Sequence, residues 1–111
     1  RGFDWSLLHE ILERLSAGKW TGYFHLAEAV GTSAQALAGH VMRCPVCVNP
    51  HRVLKWNGEV AEGFAWTDPG DARNPVEVLE AEGVRFLDGR ADPESKLETE
   101  DLLELLNEGA G

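Results

Sequence analysis

Apolar residues recur every three or four positions along the first third of the chain, which is the spacing of amphipathic helices. This pattern predicts helices over residues 4–15, 21–31 and 33–43. Two short helices joined by Gly31 and Thr32 are typical of a helix-turn-helix. The N-caps that we predict for the three helices are Asp4, Thr21 and Ser33.

The pattern changes in the second half of the chain. Residues 52–66 predict a short strand, a turn at Asn57-Gly58 and a second strand, which together would form a wing. Residues 67–74 are rich in Asp, Gly and Pro and predict a loop. Pro75 begins a helix that ends near residue 81, and residues 98–106 predict a final amphipathic helix. The predicted fold class is a small α+β winged helix-turn-helix.

With 111 residues and 43% hydrophobic residues, the chain is long enough for one modest core. We expect a winged domain over residues 1–90 and an acidic tail or helix over residues 91–111. No apolar run reaches the length of a membrane span, so we expect a cytoplasmic protein with no membrane partner. A first residue other than Met leaves open that the chain is a domain of something longer.

The net charge of −9 argues against nucleic-acid binding, but its distribution is uneven. Residues 19–55 hold four basic residues and one acidic residue, a local balance of +3. Much of the negative charge lies in residues 92–108, and an acidic tail beside a mildly basic domain often limits non-specific binding or recruits a partner. The alternative is that the whole protein is acidic and binds no nucleic acid.

Residues 48–53, Val-Asn-Pro-His-Arg-Val, resemble the Pro-Cys-His-Arg-Val active-site motif of O6-alkylguanine-DNA alkyltransferases. Blocks at residues 18–23, 26–31, 38–43 and 80–84 resemble other motifs of that family, in the same order. The resemblance covers roughly residues 6–86. The family's alkyl-accepting cysteine is replaced by Pro50, which has no nucleophilic atom. The chain therefore resembles the alkyltransferase-like proteins, which keep the DNA-binding scaffold and lack the acceptor thiol.

The resemblance implies the winged helix-turn-helix of the alkyltransferase C-terminal domain, with the third helix in the DNA minor groove. Small residues in that helix favour close approach to DNA, although they are also typical of a helix packed closely against a neighbour. Tyr23 matches the tyrosine that rotates the target nucleotide out of the stack. The family's arginine finger is replaced by Ala36. The implied DNA-binding residues are Tyr23, Ser33, Ala34, Gln35, Ala36, Gly39 and Arg43.

The resemblance also implies a pocket for the extruded base and a hydrogen-bonded network behind it. The family network joins the cysteine to a histidine and a glutamate, which match His51 and Glu82, and Arg52 is expected to brace the loop. Alkyltransferase-like proteins commonly place a tryptophan and a wing arginine where this chain has Pro50 and Gly63, so their usual alkylguanine sensor is not reproduced. The implied pocket residues are Tyr23, Val48, Pro50, His51, Trp56, Val60, Gly63 and Phe64.

Cys44 and Cys47 form a Cys-x-x-Cys pair that is flanked by two histidines. With His40 and His51 they would make a compact four-ligand zinc set. Two free thiols are the commoner outcome for such a pair in a reducing cytosol, and we expect no resident cofactor. A displaced alkyl acceptor at Cys47 is less favoured, because it lies three positions from His51 rather than one.

The leading hypothesis is a non-enzymatic protein that binds double-stranded DNA and recognises a modified base, such as O6-alkylguanine, for a repair partner. One alternative is the specificity domain of a larger modification-dependent restriction nuclease. The other is a protein-interaction domain that uses the winged fold without binding DNA.

Overall fold

Five α-helices and five short strands make up the structure, a computed structural model that describes residues 3–110. The helices are α1 (Ser6–Arg14), α2 (Tyr23–Val30), α3 (Ala34–Val41), α4 (Pro75–Ala81) and α5 (Thr99–Ala110). The strands are β1 (Trp20–Gly22), β2 (Val53–Leu54), β3 (Phe86–Leu87), β4 (Arg90–Ala91) and β5 (Lys96–Leu97). Short 3₁₀ helices lie at Pro50–Arg52 and Pro93–Ser95.

The helices with strong local capping signals begin where the sequence predicts. Ser33 Oγ accepts a hydrogen bond from the backbone N–H of Ala36 at 3.1 Å, which caps α3. Pro75 opens α4, and the side chain of Asn74 accepts from the N–H of Val76 at 2.8 Å. α2 and α3 pack against each other around Gly31, which adopts the left-handed conformation that ends α2. The predicted helix-turn-helix is confirmed.

Two other predicted caps are wrong. Thr21 lies in β1, where its hydroxyl donates to the carbonyl of Leu97 at 2.7 Å, and α2 begins at Tyr23. The N-cap of α1 is Trp5 rather than Asp4, whose carboxylate accepts from the N–H of Ser6 just after that cap.

A three-stranded parallel sheet joins distant parts of the chain. β1 is the central strand, and Thr21 is aligned with Val53 of β2 on one side and with Leu97 of β5 on the other. All three residues of β1 are buried. Trp20 is 1% exposed and its indole N–H donates to the carbonyl of Asp92 at 2.9 Å. The sheet therefore holds the segment after the 50–52 turn against both the N-terminal and the C-terminal regions.

The predicted wing hairpin is corrected by the structure. A turn forms at the predicted place, since the N–H of Gly58 donates to Lys55 O at 2.9 Å, but residues 55–74 contain no strand. The carbonyl of Gly58 instead accepts from the N–H of Ala91 in β4 at 2.9 Å. The turn thus uses its backbone to dock on the β3–β4 hairpin, and the wing continues as an irregular loop.

The C-terminal segment, predicted as an acidic tail or helix, forms β5 and α5. α5 packs against α1 and α2, and Leu102 is fully buried in the core that those helices share with α3. A second buried cluster, centred on Trp20 and Leu79, lies beneath α4 and β4. Residues 1, 2 and 111 of the two predicted segments lie outside the described residues. Between residues 3 and 110, every helix is too short or too polar to cross a membrane.

Candidate functional site

A shallow groove of about 430 Å³ separates α3 from the loop at residues 61–63. It is lined by Tyr23, at the start of α2, by Lys55, and by Ala34, Gln35, Ala38 and Met42 of the α3 region. Gly63 also lines it, and a Cβ added there would come within 3.2 Å of the Met42 sulfur. The groove therefore brings Tyr23 together with small residues of α3, and residue 63 has little room for a side chain.

Tyr23 is held firmly at this groove. Its ring is half-buried and packs against the main core, and burial raises the pKa of its hydroxyl to about 12. The phenol therefore stays neutral and able to donate a hydrogen bond at any physiological pH.

Gly39 and Arg43 are paired on the outer surface of α3. An added Cβ on Gly39 would lie 3.3 Å from Nη2 of Arg43, so the guanidinium lies directly over this glycine. Arg43 and Ala36 line the same small cavity. The absence of a side chain at Gly39 thus lets the arginine run back along the helix toward Ala36.

A buried network lies behind the position of the missing cysteine. Pro50 is buried at the start of a 3₁₀ turn, and His51 Nε2 is 2.8 Å from Glu82 Oε2. Arg52 donates to both carboxylate oxygens of Glu82 at 3.0 Å, and its Nη1 donates to the carbonyl of Leu15. The structure thus brings together the three residues of the predicted network, and it ties the 50–52 turn to the C-terminal end of α4.

The charge states of this network follow from its burial. Burial lowers the pKa of His51, and the neighbouring Glu82 offsets this only in part. Burial alone would raise the pKa of Glu82, but hydrogen bonds from Arg52 and His51 outweigh it, so its pKa is lowered. A neutral His51 that donates Nε2–H to Glu82 leaves Nδ1 as an acceptor. Nδ1 is buried and has no hydrogen-bond partner in residues 3–110.

Aromatic side chains pack beside His51. The ring centroids of His51 and Trp66 are 5.0 Å apart, and Phe64 meets Trp66 edge to face at 5.2 Å. The Arg73 guanidinium covers the Trp66 ring at 4.7 Å, and the Trp66 indole N–H donates to the carbonyl of Arg73 at 2.8 Å. Phe64, Trp66 and Arg73 line a cavity of about 340 Å³ next to the network.

The remaining predicted pocket residues are dispersed. Trp56 is 79% exposed beyond the turn, whereas Val60 packs against the second core cluster. Val48 is an exposed loop residue. A larger cavity of about 650 Å³ lies beside the β3–β4 hairpin, between Asn57 and Pro93, and neither Tyr23 nor α3 lines it. The predicted pocket set is therefore divided between the groove, the aromatic cluster and the surface.

The structure does not bring together the four residues of the alternative zinc set. His51 is hydrogen-bonded to Glu82, and His9 of α1 takes its place beside His40, Cys44 and Cys47. Sequence spacing gave no signal for His9, because it lies 31 residues before His40 and on a different helix. Both cysteines are free and buried, and burial raises the pKa of the Cys47 thiol far above its usual range. A thiol in that state is a poor alkyl acceptor.

Neither a protein-family model nor a curated protein sequence matches the chain. Among solved structures, the chain is similar to S. pombe Atl1, an alkyltransferase-like protein, in complex with damaged DNA containing O6-carboxymethylguanine. The TM-score is 0.63 at 21% identity, over 88% of this chain and 99% of that one. This similarity confirms the predicted fold class and agrees with the family resemblance of the sequence motifs.

Proposed function

We propose that this chain is a non-enzymatic DNA-binding protein that recognises a modified base by docking α3 in the minor groove and extruding the nucleotide. The observation that carries the proposal is the groove in which Tyr23 adjoins the small residues of α3. The fold is shared with Atl1, whose structure contains DNA with O6-carboxymethylguanine. The modified base that this chain recognises is proposed to belong to the same class, an O6-alkylated guanine.

The absence of alkyl transfer follows from the residues behind the groove. Pro50 stands where the acceptor cysteine would be, and it offers no lone pair for attack. His51 and Glu82 remain, but without a thiol they have nothing to deprotonate. Their hydrogen bond, together with Arg52, instead anchors the turn that forms the floor of the proposed recognition site.

Docking of α3 would depend on its lack of bulk and on a small number of cations. Ala34 and Ala38 let the helix backbone approach the floor of the DNA minor groove. Arg43 lies over Gly39 and toward Ala36, so its guanidinium is proposed to fill the vacated base stack in place of the family's arginine finger. With Arg43, Lys19 and Lys55 make up what we call the free cation set, since Lys55 forms only a surface ion pair with Glu59, at 3.8 Å, which a phosphate can replace. Arg52 is excluded from that set because Glu82 neutralises it.

An extruded base would meet the aromatic cluster and the network. Phe64 and Trp66 offer ring faces and edges for stacking, and the buried Nδ1 of His51 lacks a donor. The exocyclic amino group of a guanine could supply that donor, because O6-alkylation leaves it intact. A site that combines this buried acceptor with aromatic rings would thus favour a base that offers both an N–H and an added alkyl group.

The test is a set of binding isotherms with fluorescent duplexes that contain guanine or O6-methylguanine at one position. Tyr23→Ala should weaken binding to the modified duplex by roughly 10-fold, the equivalent of about 1.4 kcal/mol, and affect the plain duplex less. Tyr23→Phe keeps the ring and removes the hydroxyl, so it distinguishes the contribution of the ring to binding from that of the hydroxyl. Circular dichroism establishes that each variant folds.

Gly39→Arg tests the docking of α3 separately. This substitution should weaken binding to both duplexes, because a second long side chain displaces Arg43 and holds the helix away from the DNA minor groove. Ala81→Arg adds the same charge at the exposed end of α4 and is the matched control. Tighter duplex binding by folded Gly39→Arg would contradict minor-groove docking.

The chief alternative is a protein-interaction domain, which the net charge of −9 and several exposed apolar side chains favour. Phe24, Val46 and Trp56 are 61%, 63% and 79% exposed. That function predicts no duplex binding at low salt and no effect of base modification. A specificity domain of a restriction nuclease predicts tight binding to a different modified base, so duplexes with modified cytosines belong in the same experiment.

A further inference from the structure

Four metal-binding side chains converge on the side of α3 that faces α1. His9 comes from α1, His40 from the last turn of α3, and Cys44 and Cys47 from the loop that follows. Each offers one ligand atom, and the four atoms all lie within 4.8 Å of one another. None of them lines the groove or belongs to the His51 network, so the proposed DNA-binding function leaves this cluster unexplained.

Two distances within the cluster match the edges of a tetrahedral site. His9 Nε2 is 3.4 Å from His40 Nε2 and 3.5 Å from Cys44 Sγ. Zinc bonds of about 2.3 Å to sulfur and about 2.0–2.1 Å to nitrogen give tetrahedral edges of about 3.3–3.4 Å between nitrogens and about 3.5–3.6 Å between nitrogen and sulfur. The two observed distances therefore agree with one ion bound by both histidines and Cys44.

The loop that carries the cysteines is shaped for metal binding. In the Cys-Pro-Val-Cys segment, the backbone N–H of Val46 lies 3.4 Å from Cys44 Sγ and donates to it. Such a donor stabilises a thiolate. Both sulfurs are buried, and the Trp5 ring stacks on His40 at 4.1 Å and 13°, which closes one side of the site. The two thiols are thus shielded from water, whereas His9 and His40 are half-buried.

We propose that His9, His40, Cys44 and Cys47 bind a structural Zn²⁺ ion. Four protein ligands complete a tetrahedron and leave no position for water or substrate, so the site has a structural rather than a catalytic role. Two thiolates with two imidazoles suit zinc better than the oxygen-preferring ions Mg²⁺ or Ca²⁺.

The consequence of this site is a fixed position for the proposed recognition helix. The ion would clamp the C-terminal end of α3 to α1, next to Arg43. It would also anchor the first part of the loop that leads from α3 to Pro50. Removal of the metal should therefore loosen α3 and this loop together.

The experiment measures metal content and coordination in the whole chain, purified under reducing conditions without chelator. Mass spectrometry of the bound metal should give about one zinc per chain. Cobalt substitution should give the strong visible bands of a tetrahedral ion and thiolate-to-cobalt charge transfer in the near ultraviolet. Chelation should lower Tm by roughly 10 °C or more, as expected when a tightly bound ligand is lost.

Variants identify the ligands. His9→Asn and Cys47→Ser should lose the zinc, whereas His51→Asn and the control His25→Asn, on α2, should retain it. If His9→Asn retained the zinc and His51→Asn lost it, the proposed ligand set would be overturned. If the ligand variants fail to fold, the cobalt spectrum of the wild-type protein still shows whether a tetrahedral site with thiolate ligands is present. A pale octahedral spectrum, or wild-type protein that binds no metal after dialysis against micromolar zinc, would overturn the proposal altogether.

Discussion

Glu82→Gln tests whether the retained His51–Arg52–Glu82 network now has a structural role. Glu82 accepts three hydrogen bonds, from His51 Nε2 at 2.8 Å and from Arg52 Nε and Nη2 at 3.0 Å. A glutamine has one acceptor oxygen, so its amide nitrogen must face one of these donors. The guanidinium of Arg52, whose side chain is 13% exposed, also loses the charge that neutralises it.

The expected loss of unfolding free energy follows from the burial of the Arg52–Glu82 ion pair. Removal of one partner from a fully buried ion pair costs about 3–5 kcal/mol. The Glu82 side chain is 17% exposed, so we place the loss at the lower end, about 3 kcal/mol. A loss of this size is a large part of the about 5–15 kcal/mol by which a domain is typically stable. With a shift of about 4 °C per kcal/mol, it lowers Tm by about 12 °C.

The assay is urea unfolding at pH 7, followed by tryptophan fluorescence. Glu80→Gln is the matched control, because it removes the same charge from the exposed side of α4, and its effect should stay within about 0.5 kcal/mol. A Glu82→Gln cost below about 1 kcal/mol, close to that of the control, would refute the structural role of the network.

Further predictions concern chemistry, salt, pH and backbone. Incubation with O6-methylguanine duplex should add no methyl group, because Pro50 has no thiolate; a methylated cysteine found by mass spectrometry would contradict this. The slope of log K against log salt for duplex binding should be no steeper than about −2.7, since the free cation set holds three charges. Because the pKa of His51 is lowered in the folded protein, the unfolded chain binds a proton at this residue at a higher pH than the folded protein does, below about 6.5. The free energy of unfolding, measured by urea titration, should therefore fall from pH 6.5 to 5, and it should fall less steeply in His51→Gln. Gly58→Ala should lower the free energy of unfolding by at least about 1 kcal/mol more than Gly31→Ala. Both glycines have a positive φ, but only at Gly58 would an added Cβ meet the backbone of Ala91, at 2.8 Å, so equal losses of unfolding free energy would contradict this.

Local signals in the sequence were enough to predict the helical half of the fold. Ser33 caps α3 and Asn74 caps α4 by accepting hydrogen bonds from backbone N–H groups two or three positions away. β1, β2 and β5 contain two or three residues each, too few to show an alternating pattern, and their pairing joins segments far apart in the chain. Thr21 was misassigned as a cap for this reason, because its partner Leu97 cannot be identified from local sequence.

One contact of the candidate site follows from the family resemblance, and the others depend on packing between distant segments. His51 and Glu82 were paired through the family resemblance, and the structure places them 2.8 Å apart. His9 was missed as a neighbour of Cys44 because only the packing of α1 on α3 brings them together. Trp56 was expected in the pocket, but the docking of the adjacent Gly58 on β4 leaves its side chain in solvent.

The central position of β1 has a consequence for how the chain folds as it is synthesised. Residues 20–22 pair with residues 53–54 and with residues 96–97, so the sheet cannot be completed until residue 97 has left the ribosome. α1 and α2 also leave apolar side chains uncovered until Leu102 arrives. Such long-range closure slows folding and exposes the unfinished core for longer. A nascent chain stalled before residue 96 should therefore be a substrate for chaperones.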